Sequence, residues 1–409
     1  MPKAIRFTQN GGPEVLQYVD VELGPPGPGE AQVRHHAVGL NFIDCYVRSG
    51  LYPTPLPSGL GTEGAGEVVA VGAGVTDVKP GDRVAYAGGP QGSYSEVRNM
   101  PAHRLVKLPS KISFETGAAM MLKGMTVQYL FRRTYRLQKG QTILFHAAAG
   151  GVGLIAMQWA KALGVTVIGT AGSKQKADLA RKYGADHVIL YKEENVAERV
   201  REITKGAMVP VVYDSVGKDT FQASIDSLQP FGLMVSFGNA SGPVPPMPLT
   251  ALKGTLYVTR PSLMPHTEKR ANLLEIAGDL MKMVSSGKVK IEIDQRYPLA
   301  EAAQAHRDLE GRRTTGSTVL LPGRGPRAPT PTAGPARPRR PPSTRRSTRR
   351  AASAASSART APPGPRGSPP PTRWWSGWAA SARGPPRRSR AAESGGSRSS
   401  TSTTSPSRT

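Results

Sequence analysis

The sequence predicts an α/β protein in which a β-rich first domain precedes a doubly wound parallel sheet. Three observations carry that expectation. Residues 1–120 hold short apolar or alternating runs punctuated by Gly and Pro, the mark of short strands joined by turns. From about Glu115 short apolar runs alternate with helical segments, as a β/α repeat requires. One strand-to-helix junction, Ala148-Ala149-Gly150-Gly151-Val152-Gly153, has the glycine spacing of a phosphate-binding turn.

In the first domain, 31–40 (AQVRHHAVGL), 66–75 (GEVVAVGAGV) and 82–89 (DRVAYAGG) read as strands. The last follows a turn at Lys79-Pro80-Gly81-Asp82, where proline sets φ and Gly-Asp suits a tight reversal. The second region, 121–260, carries six apolar runs: 142–148, 165–171, 187–190, 209–215, 232–238 and 255–260. Between them, 151–164, 174–184, 195–205 and 218–228 place apolar residues at three- and four-residue spacing, as crossover helices do. Residues 261–321 contain another helix (272–287) and end on a strand-like STVLLP. They are expected to return to the first domain and complete it.

The run TILFHAA leads into the glycine turn and a helix. Gly150 would let the backbone approach a pyrophosphate, Gly153 would let the helix pack on the strand, and the helix N-terminus would face the phosphates. Ala148 stands where the fingerprint has its first glycine. An NAD site would carry an acid at the end of the second strand to hold the ribose 2′-hydroxyl. Here that segment reads Thr170-Ala171-Gly172-Ser173-Lys174-Gln175-Lys176. A hydroxyl and two ammonium groups suit a 2′-phosphate, so the expected cofactor is NADPH.

The chain of 409 residues carries a net charge of +25, unevenly spread. From Pro322 to Thr409 there are 18 Arg, no Lys and one acid, Glu393, which places +17 in that tail and leaves +8 for the rest. Cys45 is the sole cysteine; a structural zinc lobe needs about four soft ligands and is excluded. The N-terminus shows no apolar signal core and no run is long enough for a membrane span. A cytoplasmic protein is expected.

Several motifs together resemble the quinone oxidoreductase/ζ-crystallin family of the medium-chain dehydrogenase/reductases, and its bacterial NADPH-dependent members above all. They are Asn41-Phe42-Ile43-Asp44, Tyr46, Arg48-Ser49-Gly50-Leu51-Tyr52-Pro53, Gly61-Thr62-Glu63-Gly64-Ala65-Gly66, Lys123-Gly124-Met125-Thr126, the Gly140–Lys161 stretch, Tyr213-Asp214-Ser215-Val216-Gly217 and Ser236-Phe237-Gly238-Asn239. The similarity runs over residues 1–321. It implies a GroES-like catalytic domain joined to a Rossmann domain, as a homodimer. It also implies cofactor contacts at Asn41, Tyr46, Thr126, Tyr129, Gly150, Gly151, Val152, Gly172, Ser173, Lys176, Tyr191, Ser215, Phe237, Gly238, Asn239, Ser262 and Arg312.

Zinc enzymes of the same superfamily hold the metal through two Cys and a His in a Gly-His-Glu step. This chain reads Gly61-Thr62-Glu63, and none of its seven histidines has a ligand spacing. No metal is expected. Without a Lewis acid the acceptor must itself be electrophilic, which fits a quinone, or alternatively a conjugated enone or alkenal reduced at C=C. Asn41, Tyr46 and Tyr52 are the candidate catalytic residues, because amide and phenol groups can donate to an acceptor oxygen and a tyrosine face suits a flat ring. Asp44 reads as holding a loop or orienting a neighbour, and Cys45 as a small buried filler.

Residues 322–409, with 17 Pro and almost no aliphatic side chains, cannot bury enough apolar surface to order themselves. Two readings stand. One is a basic arm for nucleic acid or acidic surfaces, where Arg and the aromatics Trp374, Trp375 and Trp378 would act, RNA or DNA binding through the enzyme surface being the companion alternative. The other is out-of-frame translation of GC-rich DNA, which yields Arg without Lys.

Overall fold

The computed structural model describes residues 1–323. The strands Thr142–Phe145, Thr166–Ala171, His187–Leu190, Val209–Asp214, Leu228–Ser236 and Tyr257–Thr259 form one parallel sheet, each on a run expected from the sequence. Counted by sequence, their spatial order is 3-2-1-4-5-6, the dinucleotide-binding order whose crevice opens beyond the first and fourth strands. The strands are apolar without alternation because helices cover both faces. Ile143, Phe145, Val211 and Tyr213 enter one core, and Leu144, Ile168 and Val212 enter the other.

A second, mostly antiparallel sheet runs in the order Ile293–Pro298, Ser317–Leu321, Glu30–Leu40, Glu63–Val71, Arg83–Ala87, Val106–Lys107, with Val97–Pro101 also on Glu30–Leu40. A three-stranded sheet of Gln17–Asp20, Lys3–Phe7 and Ser58–Gly59 stands beside it. The C-terminal strand Ser317–Leu321 pairs antiparallel with Glu30–Leu40, Thr318 lying opposite Leu40. That pairing brings residues 311–318 against the site described below.

Helix Phe114–Tyr129, capped by the Ser113 hydroxyl accepting from the Thr116 N–H at 3.1 Å, passes between the sheets. From Gly117 on, all but Leu122 of its residues are buried, in a core shared by Ala65 and Ala85 of one sheet and Phe145 and Tyr213 of the other. Gly39 is required beneath it: an added Cβ would lie 2.2 Å from Ala118 O and 2.3 Å from Glu63 Oε2. Helix Arg270–Ser285 packs on the same helix, Leu280 resting on Gly124.

One element departs from the β-rich reading of residues 1–120. Phe42–Ser49 is a helix. Asn41 starts it, Asp44 Oδ2 accepts the Asn41 backbone N–H at 2.9 Å, and Gly50 ends it at φ 85°. An N-cap with an acid three residues on and a closing glycine marked it in the sequence; its shortness hid it among strands. The arginine-rich tail falls, beyond its first two residues, outside the described residues. Among those described, no helix is long and apolar enough to cross a membrane.

Candidate active site

The sheets meet at a cleft of about 880 Å³. The strand Thr142–Phe145 enters it through a turn in which Ala147, a non-glycine, takes φ 54°. Helix Gly151–Leu163 follows, with Gly150 as its N-cap and no acid in its first turn. A Cβ at Gly153 would sit 2.4 Å from Ala147 O, so the helix does touch the strand end as its glycine implied. A Cβ at Gly150 would meet only Ala147 O, at 3.3 Å. The departure at Ala148 is compensated across the sheet: its methyl fills the space left by Gly169, where an added Cβ would lie 2.7 Å away. The result is a backbone cradle with orphan N–H groups, suited to a pyrophosphate.

At the edge of the cleft beyond the second and third strands, Ser173 caps helix Lys174–Lys182 through the Lys176 N–H at 3.4 Å. Lys176 Nζ donates to Arg312 O at 2.9 Å, and Arg312 Nη1 donates to the Tyr191 hydroxyl at 3.4 Å. Burial, then the charges of Arg312 and Lys192, hold the Lys176 pKa below its ordinary value. Such crowding of cations favours an anion among them. Lys174, expected to supply a second ammonium, is exposed and off the cleft wall. At about 100° per residue it points roughly 200° away from Lys176. Lys192 and Arg312 are the cations that stand on the wall near Lys176 instead.

At the other end the Tyr46 hydroxyl accepts the Asn239 backbone N–H at 3.0 Å. Arg260 Nη2 donates to the Tyr52 hydroxyl at 2.7 Å and to Asn239 Oδ1 at 2.9 Å, while Asn239 Nδ2 donates to Gly238 O at 2.9 Å. Both phenols therefore accept from neighbours; Tyr46 keeps its own proton free, while Tyr52 has Asn239 Oδ1 3.4 Å away as a weak alternative acceptor. Burial raises the Tyr46 pKa to about 12, so the group stays a donor. The two rings meet edge to face at 5.2 Å.

Beneath them Asn41 is already engaged, its Nδ2 donating to Glu63 Oε2 at 2.8 Å. One amide hydrogen is thus committed, and Asn41 has half the donor capacity the sequence suggested. The fully buried Glu63 also accepts from Leu122 N at 2.7 Å and from Lys123 Nζ at 3.5 Å. Lys123 Nζ donates in addition to Leu40 O at 3.3 Å. Glu63, Lys123, Lys192 and Arg260 are not among the residues expected from the sequence. Glu63 and Lys123 lie inside quoted motifs, but only their burial and mutual approach reveal a role.

Asp44 holds its neighbours, as read from sequence, through Asn41 N and the Tyr94 hydroxyl, each at 2.9 Å. Cys45 is buried, its Sγ 3.4 Å from His306 Nδ1, and burial pushes its thiol pKa far up. Cys45, His306 and Glu310 lie close enough to suggest a cation site. The Arg48 guanidinium fills that space, 2.9 Å from His306 Nδ1 and 2.7 Å from Glu310 Oε1. Among the described residues no His, Cys, Asp or Glu lines the cleft itself, so its donors do not fit a zinc ion.

Of the expected residues, Asn41, Tyr46, Tyr52, Thr126, Tyr129, Gly150, Gly151, Val152, Gly172, Ser173, Lys176, Tyr191, Ser215, Phe237, Gly238, Ser262 and Arg312 all line this one cleft. Asn239 does not reach the wall and instead braces Tyr46 from behind.

Residues 27–110 match the family described as alcohol dehydrogenase GroES-like domain, and residues 151–276 the family described as zinc-binding dehydrogenase. A quinone oxidoreductase of Pseudomonas aeruginosa is 60% identical over 325 residues, covering 79% of this chain and 100% of that protein. The crystal structure of Escherichia coli quinone oxidoreductase complexed with NADPH superposes with a TM-score of 0.77 at 54% identity, covering 78% of this chain and 100% of that one. A 2-haloacrylate reductase of a Burkholderia species is 43% identical over 332 residues, with 79% and 99% covered.

Proposed function

The chain belongs to the quinone oxidoreductases of the medium-chain dehydrogenase/reductase superfamily, and on that premise we propose that it reduces quinones with NADPH and without a metal. The observation that carries the reading is one cleft with two chemically distinct ends. One end gathers Lys176, Lys192 and Arg312 with no acid among the described wall residues, the nearest being Asp219, off the wall and 3.8 Å from Arg312, and the other sets two proton-bearing phenols beside open space. Bound NADPH supplies a hydride, so that NADPH, quinone and one proton give NADP⁺ and hydroquinone.

The residues of this chain do the rest. The Gly150–Gly153 turn and helix start receive the pyrophosphate, and Ser173, Lys176, Lys192 and Arg312 hold the 2′-phosphate. Tyr46 and Tyr52 donate hydrogen bonds to the acceptor oxygens on which charge develops. Thr126, Ser215, Phe237, Gly238 and Ser262 shape the wall between the two ends and exclude water. The remaining Asn41 hydrogen, aimed by Glu63, is available to cofactor or acceptor.

NADPH oxidation measured with several benzo- and naphthoquinones tests the reading, and no turnover with any of them would overturn it. A second reading, reduction of an activated C=C bond, is favoured by the likeness to the 2-haloacrylate reductase. A side-by-side screen of quinones and enones separates the two. A homodimer fits the outer edge of the parallel sheet, where Tyr257 and Val258 on the last strand, with Phe231 nearby, are exposed. Such an edge invites pairing with a second copy. Nucleic-acid binding through the tail rests on residues outside those described.

A further inference from the structure

Among the described residues the cleft wall holds five cations, Lys123, Lys176, Lys192, Arg260 and Arg312, and no acid. Four have an assignment. Lys176, Lys192 and Arg312 stand at the 2′-phosphate end, and Lys123 faces the buried Glu63. Arg260 is left over. It follows the sixth strand of the sheet, whereas Lys176 follows the second. Four strand spacings separate them, roughly 19 Å at about 4.8 Å each. Arg260 therefore stands too far away to serve the 2′-phosphate that Lys176 marks.

Its partners are all neutral. Nη1 donates to Ser236 O and Oγ at 3.2 and 3.3 Å, and Nη2 to the Tyr52 hydroxyl and Asn239 Oδ1 at 2.7 and 2.9 Å. Among the described residues no carboxylate pairs with it, while fourteen other ion pairs form elsewhere. These four bonds fix the guanidinium beside a phenol of the acceptor end without neutralising it. A fixed, uncompensated guanidinium is a recognition element for a carboxylate or sulfonate.

We propose that Arg260 forms an anion subsite in the acceptor pocket, so that acceptors bearing a carboxylate or sulfonate beside the electrophilic ring are preferred over their neutral parents. The proposal rests on the quinone-reductase reading for its substrate class. The charge sits where a ring substituent would project past Tyr52. Because Arg260 is exposed, its contribution is moderate and falls with salt.

The test compares 1,2-naphthoquinone with 1,2-naphthoquinone-4-sulfonate in wild type, R260K and R260Q. The ratio of kcat/KM for the sulfonate over the parent is expected to fall about tenfold in R260Q and about threefold in R260K, and to shrink in wild type at high salt. If Arg260 only props Tyr52, both acceptors lose equally and the ratio stays constant, which overturns the proposal. Calorimetric binding of naphthalene-2-sulfonate to the NADP⁺-saturated protein gives a readout that needs no turnover. Binding about tenfold weaker in R260Q than in wild type supports the subsite, and equal binding overturns it. If wild type reduces no quinone yet binds the sulfonate through Arg260, the quinone reading fails and the subsite stands.

Discussion

Replacing Lys176 by Met, which keeps the stem and removes the charge, tests the cofactor end of the cleft. One of the three ammonium donors is committed to Arg312 O at 2.9 Å, leaving two for a phosphate. A hydrogen bond to a charged group contributes about 1.5–3 kcal/mol. With Lys192 and Arg312 still in place, the lower half of that range applies, about 1.5–2 kcal/mol. At 1.4 kcal/mol per factor of ten, kcat/KM for NADPH should fall roughly 10- to 30-fold, while NADH, lacking the phosphate, changes by less than about twofold. Steady-state kinetics with both nucleotides at a fixed quinone concentration measures this. The thermal shift given by each nucleotide reports binding without turnover. A NADPH/NADH ratio that moves less than about threefold would refute the assignment.

The pH dependence has a definite sign. The Lys176 pKa is lowered by burial and by neighbouring cations. Between its folded and unfolded values the unfolded chain binds more protons, so in the free protein this group makes stability rise as pH climbs through that interval. NADPH preference falls over the same interval, because the ammonium that holds the phosphate is lost.

Two further outcomes concern the scaffold. Burial, with a smaller push from the Glu63 charge, raises the Asp44 carboxyl to about 7 against the Asn41 and Tyr94 hydrogen bonds and the Lys123 charge. From its unfolded value of about 3.9 up to about 7 the folded state binds more protons, so stability falls as pH rises across that window and loses nothing more above it. D44N keeps an acceptor for Asn41 N and Tyr94 and should flatten urea midpoints between pH 4 and 7; parallel curves for the two proteins would contradict this. Ala147 at φ 54° carries a left-handed cost of about 1–2 kcal/mol, of which A147G should recover about 0.5–1 kcal/mol after the entropy of the freer unfolded chain. A rise in denaturation midpoint checks it, and a fall refutes it.

The local text of the chain determined a good deal by itself. Six apolar runs of strand length separated by helical spacing specify a doubly wound sheet, because strand and helix periods are local properties. Gly150 and Gly153 announced the cradle, and the lack of an acid after the second strand announced a phosphate. The short helix at Phe42–Ser49 was legible too, though only through its caps.

What the tertiary structure alone decided is who stands next to whom. Lys174 and Lys176 look equivalent in sequence, and helix rotation keeps only the second in the cleft. Arg312 reaches Lys176 across 136 residues, Lys123 reaches Glu63 across 60 and Arg260 reaches Tyr52 across 208. The loss of a fingerprint glycine at Ala148 is harmless because Gly169, on the neighbouring strand, makes room for it. Periodicity records which face of an element is buried. It carries no record of the distant group that a buried carboxylate or an unpaired guanidinium will meet, since that depends on how the two sheets close on each other.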